Sequence, residues 1–237
     1  MAQSQFEHIH CVVLVIFGTL NLYNFLKICY YKVTMEQKDT LRFQDIAPDL
    51  VLQDTAGENV QLSTLWQSRP LLLAFTRHFG CPQCKELLDE LVQLRSQIEA
   101  KGLGVAIVTQ GEPEPSRVFG EKRAPGLKLL CDPQRKAYAA YGLAHGTLTQ
   151  TLLSPKIWTS NNNLARTKGY KAELPPPGQD AFVMSGVFII GTDGRIRLPY
   201  YYDSIADHPD ASLLLDGFLS TGWDRPFNEP LGPKKDQ

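Results

Sequence analysis

From about residue 41 onward, apolar positions recur with two different periods. Pro48-Asp-Leu-Val-Leu-Gln-Asp54, a turn at Thr55-Ala-Gly57 and Val60-Gln-Leu-Ser63 predict an N-terminal β-hairpin that feeds a short helix around Leu65. Pro70-Leu-Leu-Leu-Ala-Phe75 is an unbroken apolar run, which predicts a strand covered on both faces and therefore central in a sheet. Between residues 82 and 100, Leu87, Leu88, Leu91, Val92, Leu94 and Ile98 recur at helical spacing among Glu86, Glu90, Arg95 and Glu99, so an amphipathic helix is predicted there, ended by Gly102 and Gly104. Val105–Thr109 and Leu127–Cys131 read as further buried strands on either side of a short helix at 113–123. Asp132-Pro133 then opens a helix from Gln134 to Tyr141, with Pro133 in its first turn. Val187-Phe-Ile-Ile190, the turn Gly191-Thr-Asp-Gly194 and Ile196-Arg-Leu198 predict a closing antiparallel hairpin, and Leu213, Leu214, Leu215, Phe218 and Leu219 a last helix. Strands that alternate with helices imply right-handed parallel crossovers and an α/β fold: a central mixed sheet flanked by helices, with the hairpin as an N-terminal extension.

Two stretches depart from this rhythm. Residues 143–181, with Asn161-Asn-Asn163 and Pro175-Pro-Pro177, form a long surface insertion of the kind that often carries function. From His8 to Leu26 there is no acid, lysine or arginine, and the centre Cys11-Val-Val-Leu-Val-Ile-Phe17 is strongly apolar, close to the minimum length for crossing a bilayer. Asn21 and Asn24 interrupt it, and Lys27 and Lys32 lie on its C-terminal side. Residues 1–34 therefore read either as an anchor that leaves the main domain in the cytoplasm or as a start-site artefact ahead of Met35. The domain itself is assigned to residues 35–237, with a cytoplasmic location; membrane contact is expected only if residues 8–26 are a real anchor.

At 237 residues and 43% apolar content, one domain with a sizeable core is affordable and extended disorder is excluded. Lys+Arg 24 against Asp+Glu 25 leaves no positive field for a polyanion, so nucleic acid is excluded as a partner. Five cysteines are too few and odd in number for a disulfide scaffold, which points to free or transiently paired thiols in a reducing compartment.

The candidate chemistry lies in Cys81-Pro82-Gln83-Cys84, placed directly after the central strand and at the start of the long helix. A thiolate there faces unpaired backbone N–H groups and the positive end of the helix dipole, which lower its pKa; Arg77 or His78 would add to this. The spacing suits a redox pair, with Cys81 at the cap as the more exposed sulfur and Cys84, on the face of Leu87, Leu88 and Leu91, as the more buried, resolving one. A purely structural pair is the bland alternative. A metal site would need further ligands from the dispersed Cys131, His78, His145 and His208, which share no paired spacing, so no metal or cofactor is expected. Cys131 reads as a packed thiol, and Cys11 and Cys29 belong to the N-terminal segment. The aromatic stretch Leu198-Pro-Tyr-Tyr-Tyr-Asp203 reads as structural packing.

Residues 41–220 resemble the alkyl hydroperoxide reductase/thiol-specific antioxidant superfamily, a thioredoxin-fold group, and within it the peroxiredoxin-like 2 branch. The matching stretches are Ala47-Pro48-Asp49-Leu50, Arg77-His78-Phe79-Gly80 leading into the cysteine motif, Cys131-Asp132-Pro133 with Arg135-Lys136-Ala137-Tyr138, and Gly186-Val187-Phe188-Ile189-Ile190. The resemblance implies a thioredoxin-like domain that reduces peroxides through Cys81 and Cys84, forms a Cys81–Cys84 disulfide and is recycled by a thioredoxin- or glutaredoxin-type dithiol. This chain departs from the conventional pattern by having Ala74 and His78 where the family carries proline and a hydroxyl residue, and Ser185 where it carries an arginine. Thr76 and Arg77 are the nearest substitutes. Two other functions stay open at this point: dithiol–disulfide exchange on protein thiols, and a binding module with an inactive site. A monomer or weak dimer is expected.

Overall fold

A computed structural model of the chain describes residues 40–143, 145–207 and 209. The apolar segment at 8–26, the boundary at 35, His208 and the helix predicted at 213–219 lie outside these residues. The elements are β1 (Val51–Asp54), β2 (Asn59–Gln61), a 3-10 turn (Leu62–Leu65), β3 (Leu71–Phe75), α1 (Pro82–Ala100), β4 (Gly104–Thr109), α2 (Pro113–Arg123), β5 (Lys128–Cys131), α3 (Lys136–Ala140), a π turn (Thr149–Leu153), α4 (Pro155–Thr167), β6 (Gly186–Ile190) and β7 (Ile196–Tyr201).

The strands form one seven-stranded sheet in the order β2-β1-β5-β4-β3-β6-β7. β3 pairs parallel with β4 and antiparallel with β6, and β4 pairs parallel with β5. The alternation of side chains along these strands feeds two cores. Leu72, Ala74, Ile107, Val187 and Ile189 pack with Leu87, Leu88 and Leu91 of α1, while Leu73, Phe75, Val108, Phe188 and Ile190 pack with Tyr138 and Tyr141. Phe75 is boxed by the rings of Tyr138, Tyr141 and Phe188 at centroid distances of 5.1, 4.9 and 5.7 Å. Burial on both faces explains why β3 and β6 are apolar throughout. Pro199 is tolerated in β7 because that strand is an edge, paired only with β6.

One expectation is corrected, and one segment gains detail. The helix predicted from Gln134 is confined to Lys136–Ala140, because the Asp132 carboxylate accepts from the backbone N–H groups of Lys136, Ala137 and Tyr138, and Arg135 turns left-handed at φ 57° before the helix begins. Pro133 sits in that turn and not in the helix. The segment 143–181 is also more regular than its composition suggests: α4 buries Ile157 and Leu164, and Ile157 joins the α1 side of the core. No helix among the described residues is long and apolar enough to cross a membrane.

Candidate active site

β3 ends at Phe75, and residues 76–81 carry the chain from the sheet to the first turn of α1. Cys81 is the N-cap of that helix, in extended geometry at φ −74°, ψ 119°, and Pro82 occupies its first turn, where no backbone N–H is needed. Cys84 lies one turn on. Both are free thiols in this structure. The expectation that Cys81 is the exposed sulfur is wrong: it is 1% exposed and Cys84 5%. The cause is the 143–181 segment, which lies across the loop.

That cover is held at many points. The Glu173 N–H donates to the Gly80 carbonyl at 3.1 Å, and the Phe79 N–H donates to Gln179 Oε1 at 2.9 Å. Gln110 both donates to the Asp180 carbonyl and accepts from the Asp180 N–H, at 3.1 and 2.8 Å. Lys85 pairs with Glu173 at 3.2 Å. A Cβ on Gly80 would run into the backbone carbonyls of Glu173 and Leu174, so the close approach requires glycine there. Gln83, itself buried, ties the motif to α4 by donating to Asn161 Oδ1 at 2.7 Å and to Ser160 Oγ at 3.4 Å.

Arg77 is the charged centre of the site. It is buried; its Nε donates to the Val183 carbonyl at 3.3 Å, its Nη2 to the Ala181 carbonyl, and its Nη1 reaches Cys81 Sγ at 3.6 Å. Its backbone N–H donates to Cys84 Sγ at 3.3 Å. Burial by itself would raise the Cys81 pKa. The Cys84 thiol and N–H donating to Cys81, together with the Arg77 charge, overcome this and hold it down at about 6. Cys84 moves the other way: burial and the neighbouring anion keep its proton on. The result is one thiolate beside one thiol, the condition for a nucleophile and a proton-bearing partner.

Of the other expected residues, Thr76 and Ser185 line the same small pocket as the two sulfurs. Thr76 donates its hydroxyl to the Val108 carbonyl at 3.2 Å, and Ser185 Oγ lies 4.0 Å from Cys84 Sγ. His78 is buried, with Nδ1 unpartnered among the described residues; burial, then the charges of Arg77 and Lys85, lower its pKa to about 4, so it is neutral at pH 7. Cys131 is a packed thiol opposite Gln53 in the β1–β5 pairing, donating to the Asp54 carbonyl at 3.8 Å. His145 is exposed and pairs with Asp180 at 2.7 Å.

Tyr202, treated in the sequence as packing, also borders the pocket, with Leu87 and Ile205 as apolar wall. Gln83 was legible only as the residue between two cysteines. Both acquire their positions from long-range contacts that leave no local signal.

Residues 43–198 match the family model described as AhpC/TSA family. The chain is 35% identical over 161 residues to Prostamide/prostaglandin F synthase of Danio rerio, covering 65% of this chain and 77% of that protein. It is 25% identical over 172 residues to Peroxiredoxin-like 2C of Homo sapiens, covering 70% of this chain and 76% of that protein. Among solved structures, Peroxidoxin BcpB from Mycobacterium tuberculosis shares the fold, with a TM-score of 0.55 at 20% identity, covering 76% of this chain and 97% of that one.

Proposed function

The chain belongs to the AhpC/TSA family, a group of thioredoxin-fold thiol oxidoreductases, and on that premise we propose that it reduces peroxides through Cys81 and Cys84. The observation that supports this most is the placement of Cys81 at the cap of α1, one turn from Cys84 and with its Sγ 3.6 Å from Arg77 Nη1; the Cys84 donors, then the Arg77 charge, lower its pKa.

The Cys81 thiolate attacks the terminal oxygen of a hydroperoxide. The O–O bond breaks, an S–O bond forms, and the leaving oxygen takes a proton from solvent as water or alcohol departs. Cys84 then attacks the Cys81 sulfenic acid, expelling water and forming the disulfide. A dithiol donor of the thioredoxin or glutaredoxin type returns both cysteines to thiols by exchange. Sulfur supplies both electrons, so no metal or cofactor enters the cycle.

Exchange with protein disulfides is the weaker reading, because both of its half-reactions require a protein partner at a sulfur that is 1% exposed, whereas in the peroxide cycle only the re-reduction does. An inactive binding module would have no use for a lowered thiol pKa. A reducing compartment such as the cytoplasm would supply the dithiol donor that this cycle needs.

The roles are tested by mass spectrometry of the reduced full chain after one equivalent of hydrogen peroxide. The expected products are a Cys81–Cys84 disulfide in the parent, a sulfenic acid trapped at Cys81 in Cys84→Ser, and no modification at Cys84 in Cys81→Ser. Oxidation that starts at Cys84 or Cys131 would overturn the assignment.

A further inference from the structure

The conventional peroxide-polarising hydroxyl and arginine are replaced here by His78 and Ser185, so some other group must hold the oxygen that leaves. Most donors around the two sulfurs are already engaged. Thr76 gives its proton to Val108, Gln83 donates its amide N–H groups to α4 while its Oε1 faces Cys81 Sγ at 3.6 Å, and Arg77 divides its fork between Val183, Ala181 and Cys81.

Tyr202 is different. It is only 7% exposed, yet among the described residues its buried hydroxyl has no hydrogen-bond partner. A buried hydroxyl left unpaired forfeits the hydrogen bonds it made to water, so the position calls for an explanation. The residue lines the same pocket as Cys81 and Cys84, and its ring is fixed edge-on against Tyr200 at 5.5 Å. Its N–H donates to the Ser185 carbonyl at 3.4 Å, which anchors the start of this segment beside the pocket floor. Burial, then the negative charge on the cysteine pair, raises its pKa well above the ordinary tyrosine value, so it keeps its proton while Cys81 is ionised.

We propose that the Tyr202 hydroxyl is the catalytic hydrogen-bond donor of this site, holding the peroxide oxygen that leaves when Cys81 takes the other. This rests on the peroxide reading above and supplies the donor that reading lacks. As the O–O bond breaks, negative charge grows on the departing oxygen; the phenol hydrogen bond shortens onto it, and the proton that completes water or alcohol comes from solvent. No electron passes through the ring.

The test compares two electrophiles on the reduced full chain and on Tyr202→Phe, which keeps the ring and its packing. Iodoacetamide reports the Cys81 thiolate alone, since its leaving iodide needs no donor. Hydrogen peroxide and tert-butyl hydroperoxide report the thiolate plus the donor. The expected result is a fall of about 100- to 1,000-fold in both peroxide rate constants, in the range of a single lost oxyanion donor, with alkylation within about twofold of the parent. Peracetic acid, whose acetate leaves readily, should lose less. Equal losses for iodoacetamide and peroxide would make Tyr202 structural and overturn the proposal, as would no loss at all. A parent that reacts with peroxide no faster than free cysteine would overturn the peroxide reading itself, and this assignment with it.

Discussion

Replacing Arg77 is the most informative change to the site's electrostatics. In Arg77→Met the guanidinium 3.6 Å from Cys81 Sγ is exchanged for an apolar chain of similar reach. Two unit charges at that distance in an effective dielectric of about 20 attract by roughly 4–5 kcal/mol, an upper figure because the cation is also desolvated. A net charged hydrogen bond is worth about 1.5–3 kcal/mol, or roughly one to two pH units. The Cys81 pKa should therefore climb from about 6 toward 7–8. At pH 7 the thiolate fraction would fall from about nine-tenths to between a half and a tenth. Arg77→Lys keeps the charge and should retain part of the depression, but a point ammonium cannot also serve Val183 and Ala181 as the fork does. The assay is the pH profile of iodoacetamide alkylation at Cys81, read by mass spectrometry. A two- to tenfold loss at pH 7 that disappears near pH 9 supports the account. A midpoint unmoved in Arg77→Met would refute it and assign the shift to Cys84 and the helix alone.

Other consequences are testable on the same protein. Gly80→Ala forces the 173–174 backbone away from the motif; a loss of about 1–3 kcal/mol in urea titration is expected, together with faster alkylation of Cys81. Gln83→Ala removes the tie to Ser160 and Asn161, and hydrogen exchange across 155–181 should speed up while the β3 and β6 amides stay protected. His78 has a folded pKa near 4 against an unfolded value of 6.5, so the unfolded chain binds its proton first as pH falls. Its contribution is present above pH 6.5 and is lost between 6.5 and 4; a His78→Gln variant should show a flatter loss of stability over that window. Cys81 is likewise depressed, so the reduced parent should gain stability relative to Cys81→Ser as pH rises from 6 toward 9.

The fold was legible wherever local periodicity and tertiary burial agree. The leucine stripe of α1 predicts Pro82–Ala100 because that stripe is what the sheet buries, and the apolar run of β3 marks a strand covered on both sides. α4 is not visible in the same way. It buries only Ile157 and Leu164, seven positions apart, among Asn161-Asn-Asn163 residues of poor helix propensity. The position of Cys81 at a helix cap follows from spacing, but its burial is imposed by a segment more than sixty residues later, so exposure could not be read from the motif. The same holds for Tyr202, which meets the cysteines only because β7 returns beside β6, itself paired to β3. Arg77 was legible as a neighbour that lowers the thiol pKa; its burial and the division of its fork among Val183, Ala181 and Cys81 were not.

The account rests on Cys81 being an activated nucleophile toward peroxide. Stopped-flow mixing of the reduced full chain with hydrogen peroxide, counting thiols against time, tests this directly. The prediction is a second-order rate above that of free cysteine, with two thiols lost per peroxide and the rate following the Cys81 ionisation near pH 6. A rate no higher than free cysteine, or a loss of thiols indifferent to pH between 5 and 8, would contradict it.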